Sequence, residues 1–206
     1  MAASTPEPRR RADAERSRAA ILDAAARLLP NKPDAGLAAI AAAAGVTRQT
    51  IYAHFTSREE LLAAVVEQVT GRTVAAMDAA DLDQGTATEA LLRILDLGWR
   101  AFETHPAVQR FAPTDSEQSR ELHNPVTDHL LRLLRRGQRD GEFTRTATPE
   151  WLAAALIAVG HAAGEEVTAG RMSQPKAEKA LRETALRLVE NTQRPARNSM
   201  RAKPEE

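Results

Sequence analysis

Residues 47–50 read Thr-Arg-Gln-Thr, and Tyr52, His54 and Arg58 follow closely. Two kinds of hydrogen-bonding chemistry stand side by side here. Arg48 and Gln49 each carry a planar group that makes two bonds at once, guanidinium to guanine and carboxamide to adenine, and Thr50 has a methyl able to touch a thymine methyl. Thr47, Tyr52, His54 and Arg58 offer hydroxyl, imidazole or guanidinium donors suited to phosphate oxygens, which position a protein on a duplex without reading it. For Tyr52, simple packing is the alternative. A different chemistry would use His105, His123, His129 and His161 with Glu121, Asp128 or Glu165 as metal ligands or an acid/base pair. Their spacing matches no zinc-protease or facial-triad pattern, and scattered helical histidines are mostly structural. No catalytic residue, metal or cofactor is therefore expected.

Reading bases requires a helix that enters a groove, and the surrounding string IAAAAGVTRQTIYAHFTSREELL, residues 40–62, is built to hold one. Leu37 to Ala44 reads as a short helix with Ile40 on its inner face, and Gly45 supplies a turn that a side chain with a Cβ resists. Thr47 caps a second helix running to about His54, with Val46 and Ile51 packing on Ile40 and Phe55 in the core. Ser57 and Glu60 have the spacing of a capping box, after which Leu61, Leu62, Val65, Val66 and Val69 carry a long linking helix. Upstream, Ile21, Leu22, Ala25, Leu28 and Leu29 define an amphipathic helix from about Asp13 to Leu29, ended by Pro30 and Pro33. Residues 1–12, with the triplet Arg9 to Arg11, read as a disordered basic arm: a solvated tail or one that follows phosphates.

The charge distribution agrees. The formal net charge is zero, but residues 1–58 hold 9 Lys and Arg against 5 Asp and Glu, and the remainder holds 19 against 23. The absence of cysteine excludes disulfides and thiolate metal sites. The N-terminus lacks the apolar segment of a secretory signal, and the longest nearly apolar run, Trp151 to Ala163, is shorter than a membrane span. A cytoplasmic location without a membrane partner is the expectation.

In its Ile-Ala-x-x-Ala-Gly-Val and Tyr-x-His-Phe elements and the following Ser-Arg-Glu-Glu-Leu, the chain resembles the TetR family of bacterial transcriptional regulators over about residues 17–63. The resemblance implies a cytoplasmic homodimer, usually a repressor, released from a near-palindromic operator when a small molecule enters the C-terminal domain. The chain departs from the family pattern at PNKPDAG, residues 30–36, where the usual Ser/Thr cap is missing and Asp34 or Gly36 must serve.

The expected fold is all-α: a helix-turn-helix domain over residues 13–58, a helical effector-binding and dimerisation bundle over 59–192, and a frayed tail over 193–206. Candidate helices in the second domain are Thr88–Thr104, a short piece at Pro106–Phe111, Ser116–Asp140, Pro149–Ala169 and Pro175–Thr192. Trp99, Phe102, Phe111, Phe143 and Trp151 are candidate pocket walls or plain core. The last two helices are candidates for the dimer interface, through Leu152, Leu156, Val159, Ala163 and Val167 on one and Ala177, Leu181, Thr184 and Leu188 on the other. The expected partners are double-stranded operator DNA, a second copy of the chain and a small apolar effector. The rival readings are a helical ligand-binding or metal-dependent enzyme and a ligand-blind architectural DNA-binding protein.

Overall fold

The computed structural model describes residues 7–105 and 116–191; Phe111, the Pro106–Phe111 piece and the tail over 193–206 lie outside them. Eight helices run through the described residues: α1 Glu7–Leu28, α2 Leu37–Ala44, α3 Arg48–His54, α4 Arg58–Asp78, α5 Ala87–Thr104, α6 Ser116–Arg139, α7 Pro149–Thr168 and α8 Gln174–Val189. The all-α expectation holds. None of these helices is long and apolar enough to cross a membrane.

Side chains cap four of the helix starts, answering orphan amides of the first turn. Thr47 accepts from the Thr50 amide, Ser57 from Glu60, Thr86 from Glu89 and Thr148 from Trp151. Thr86 and Glu89 form a full capping box, a signal that the sequence carried at the start of α5. At α4 the expected box is altered: the Glu60 carboxylate reaches back to the amide and hydroxyl of Thr56, both at 2.7 Å. Those bonds hold the Glu60 carboxyl below its usual range. Gly36, and not Asp34, caps α2, without a side-chain bond.

Two hydrophobic cores form. The first joins Ile21, Leu22 and Ala25 of α1, Ile40 of α2, Ile51 of α3, Phe55, and Leu61, Leu62 and Val65 of α4. The second gathers Met77 at the far end of α4 with residues of α5 to α8, including Leu91, Trp99, Leu134, Leu156 and Leu181. One boundary and one helix start differ from expectation. The N-terminal half of α4 belongs to the first core, so the domains share this helix and no boundary falls at residue 58. The first helix begins at Glu7, before the expected Asp13, so Arg9 to Arg11 belong to α1 and not to an arm. The triplet consists of good helix formers, and nothing in it stops a helix.

The second core is tied by a short clip at its base. The Thr144 amide donates to the Val189 carbonyl at 2.9 Å, joining the loop after α6 to the end of α8. Phe143 is 1% exposed and lies over Gly137, where a Cβ would come within 2.2 Å of its ring. It plugs the base of the bundle as plain core, the alternative the sequence left open for this aromatic. An aromatic this deep in tight packing has no free face to offer a ligand.

Candidate nucleic-acid interface and ligand cavity

The turn between α2 and α3 is set by Gly45, whose φ of 69° lies in the left-handed region. Behind it the Val46 amide donates to the Ala41 carbonyl at 3.0 Å. Ile51 at 0% exposure and Phe55 at 1% bury one side of α3 against α1, α2 and α4. Every third or fourth residue of a helix shares a face. Anchoring Ile51 and Phe55 inward therefore turns Gln49, Tyr52 and Ala53 outward, and Arg48, at the first position of the helix, is exposed with them. Tyr52 is 55% exposed, a large aromatic that the monomer leaves in solvent.

The flanking groups differ from one another. The Thr47 hydroxyl oxygen accepts from the Thr50 amide at 3.1 Å and lies 2.8 Å from the Thr50 hydroxyl, so the two threonines lock the first turn of α3. Thr50 is half-buried, as is His54, whose ring is tilted 48° to Phe55 at 6.3 Å. The Arg18 guanidinium sits 5.5 Å over the Phe55 ring and ties α1 to the end of α3.

Arg58 does something the sequence did not suggest. Its Nε donates to the Ala35 carbonyl at 3.2 Å, and another of its guanidinium nitrogens donates to the Pro33 carbonyl. A half-buried guanidinium with two donors committed to the α1–α2 loop is a strut between that loop and α4. The physical reason lies in the PNKPDAG loop, whose carbonyls beside the start of α2 need donors. Arg58→Ala is therefore expected to cost the DNA-binding domain about 1.5–3 kcal/mol, the worth of hydrogen bonds to a charged group. Urea unfolding should show the loss, and an unchanged midpoint would contradict the strut.

In the second domain, a cavity of about 200 Å³ opens between α4, α5, α6, α7 and α8. Trp99 and Phe102, both expected in the wall, line it as a tilted pair with ring centroids 5.0 Å apart. The Trp99 indole N–H is already spent on Glu103 at 3.1 Å. Trp151 is 65% exposed in the first turn of α7 and does not reach the cavity, a correction to the aromatic set. His105 and His161, which the sequence offered only as catalytic candidates, line it instead.

The expected dimer stripe is also rearranged. Leu152, Leu156, Ala177 and Leu181 are at most 4% exposed inside the protomer's own core, and Leu156 and Leu181 border the cavity. Val159, Ala163, Val167 and Leu188 are half-buried against the same core. Of the nine residues only Thr184 is exposed. The larger side chains at helical spacing mark the face that the bundle itself consumes. The outer face of α7 carries Trp151, Ala154, Ala158 and Ala162, all exposed.

His129 illustrates the structural use of a histidine. It is 8% exposed, its Nδ1 lies 2.7 Å from Arg132, and its Nε2 lies 3.0 Å from an Asp78 carboxylate oxygen. Among the described residues, no group of three His, Asp or Glu side chains could hold a metal ion.

Residues 21–65 match the family model described as bacterial regulatory proteins, tetR family. Over that segment the chain is similar to the TetR family. The matched segment is the first core with the α2–turn–α3 unit, the family's DNA-binding part. A curated relative is the HTH-type transcriptional repressor LfrR of Mycolicibacterium smegmatis, 44% identical over 88 residues that span 41% of this chain and 47% of the repressor. The match thus spans about half of that TetR-family relative. Among solved structures, LfrR from Mycobacterium smegmatis in complex with proflavine superposes with a TM-score of 0.63 at 27% identity, over 86% of this chain and 98% of that one. The fatty acid degradation regulator FadR from Bacillus halodurans has a TM-score of 0.70 at 20% identity, over 82% and 94%, which shows the shared fold. The likeness to transcriptional regulators thus lies in residues 21–65, and the likeness of the longer chain to solved structures is one of fold.

Proposed function

We propose that the protein is a cytoplasmic homodimeric repressor that binds a near-palindromic operator through α3 and is released by a small apolar effector in the cavity of its second domain. The observation that carries the reading is the outward set Arg48, Gln49 and Tyr52 on a helix held by buried Ile51 and Phe55. Arg48 and Gln49 read base edges with Thr50 beside them, while Thr47, Tyr52 and His54 meet phosphates. The partner copy docks on the outer face of α7, where Trp151 and the alanines leave an apolar strip uncovered. Similarity to LfrR, named a transcriptional repressor and solved with proflavine, supports both repression and ligand response.

Selection of bound sequences from random duplex DNA tests the reading. The expected result is an enriched inverted repeat, with reading helices about 34–36 Å apart or moderately further. Its affinity should fall steeply as salt rises, because phosphate contacts release counterions. Recovery of no preferred sequence would favour the architectural alternative.

A further inference from the structure

The cavity has one polar feature that an apolar occupant leaves unanswered. His105, at the C-terminal end of α5, lines the cavity, and its Nδ1 is buried with no hydrogen-bond partner among the described residues. A buried polar atom left unpaired costs about 1–3 kcal/mol, and a ligand able to bond it recovers that cost. Most of the remaining wall is apolar: Trp99 and Phe102 present ring surface, and Ile94, Leu130 and Leu156 close around them. An apolar cavity of about 150 Å³ holds a single benzene ring, so about 200 Å³ admits one ring or a compact fused pair.

We propose that the cavity takes an uncharged, hydroxylated aromatic of one or two rings, its ring against Trp99 and Phe102 and its hydroxyl bonded to His105. The ligand class rests on the effector reading above and narrows it. A hydroxyl both donates and accepts, so it satisfies either tautomer of a neutral imidazole. Torsion about χ2 of histidine is broad and roughly two-fold, so the ring turns its nitrogen toward the cavity without moving the backbone. Burial pushes the His105 imidazole below its ordinary range, Arg72 pushes it further, and Asp23 opposes them. A positive charge is thus disfavoured at His105, and among the described residues no carboxylate lines the cavity to balance a cationic ligand.

The site also touches the route to the DNA-binding domain. Arg72 of α4 bonds Asp23 of α1 at 2.8 Å, and both charges act on His105. A ligand bonded to His105 therefore sits beside the ion pair that ties α1 to α4.

The test compares 2-naphthol, naphthalene and a naphthylmethyl trimethylammonium cation by isothermal titration calorimetry on the full chain. The expected order is 2-naphthol tightest, with about a tenfold preference over naphthalene. His105→Leu should erase that preference while naphthalene still binds, and His105→Gln should restore part of it. Continued naphthalene binding by the leucine variant also reports an intact cavity. Equal binding of naphthol and naphthalene by the parent, tighter binding of the cation, no binding of either neutral ring, or an undiminished preference in His105→Leu would overturn the proposal. Operator release is measured separately: naphthol that binds through His105 without releasing DNA upholds the ligand class and overturns the effector reading.

Discussion

Ala158→Glu is expected to turn the proposed dimer into a folded monomer that no longer holds the proposed operator. Ala158 lies midway along the exposed strip Trp151, Ala154, Ala158 and Ala162 of α7, so a longer polar side chain there meets only solvent within one protomer. Glutamate is a good helix former, and the helix itself should survive. In a two-fold interface each substitution appears twice, so two carboxylates enter a surface that was apolar, and like-charge juxtaposition costs several kcal/mol. Binding to a palindrome then falls to what one reading helix supplies. Light scattering at micromolar concentration, with circular dichroism as a check on folding, measures the outcome. A variant that stays dimeric would move the interface off this face of α7.

The second large effect is expected at Arg48. Loss of one bidentate base contact costs about 1–3 kcal/mol. A dimer on a palindrome loses it twice, so Arg48→Ala should weaken the operator complex by about 2–6 kcal/mol, roughly 30-fold to 10⁴-fold. The loss should be confined to the preferred base at one symmetric pair of positions, leaving affinity for random DNA much less changed. Arg48 is exposed on a seven-residue helix whose packing relies on Ile51 and Phe55, so the substitution leaves the fold intact. Fluorescence anisotropy with single-base operator variants at fixed salt tests it. An unchanged base preference would remove Arg48 from the reading set.

The first core and the cavity meet in α4. Its first half is core to the DNA-binding domain through Leu61 and Val65, and further along Val69, Thr73 and Met77 border the cavity. A ligand that changes the seating of this second half moves the first half with it, because a helix transmits displacement along its axis. Only a differential affinity for the two arrangements shifts the balance, and tenfold weaker operator binding requires about 1.4 kcal/mol of it.

The sequence by itself determined the parts of this protein that are local. Gly45 requires a turn, Thr47 and Ser57 require helix starts, and the alternation of Ile40, Val46 and Ile51 with polar neighbours leaves Arg48, Gln49 and Tyr52 outside. Caps and periodicity act over three or four residues, so they are legible without a partner element, and the all-α fold with its helix-turn-helix followed from them. What depended on distant packing was decided only by the tertiary structure. Arg58 bonds carbonyls more than twenty residues away, and no local signal distinguishes such a strut from a phosphate clamp. Leu152, Leu156, Ala177 and Leu181 have the spacing of an interface, yet the bundle buries them within one protomer. A stripe of apolar residues says that a face must be covered and is silent on what covers it. Trp99 and Phe143 are both buried aromatics, yet one borders a cavity and the other fills the space over Gly137. That difference is a matter of the volume left between helices, which exists only once they have packed.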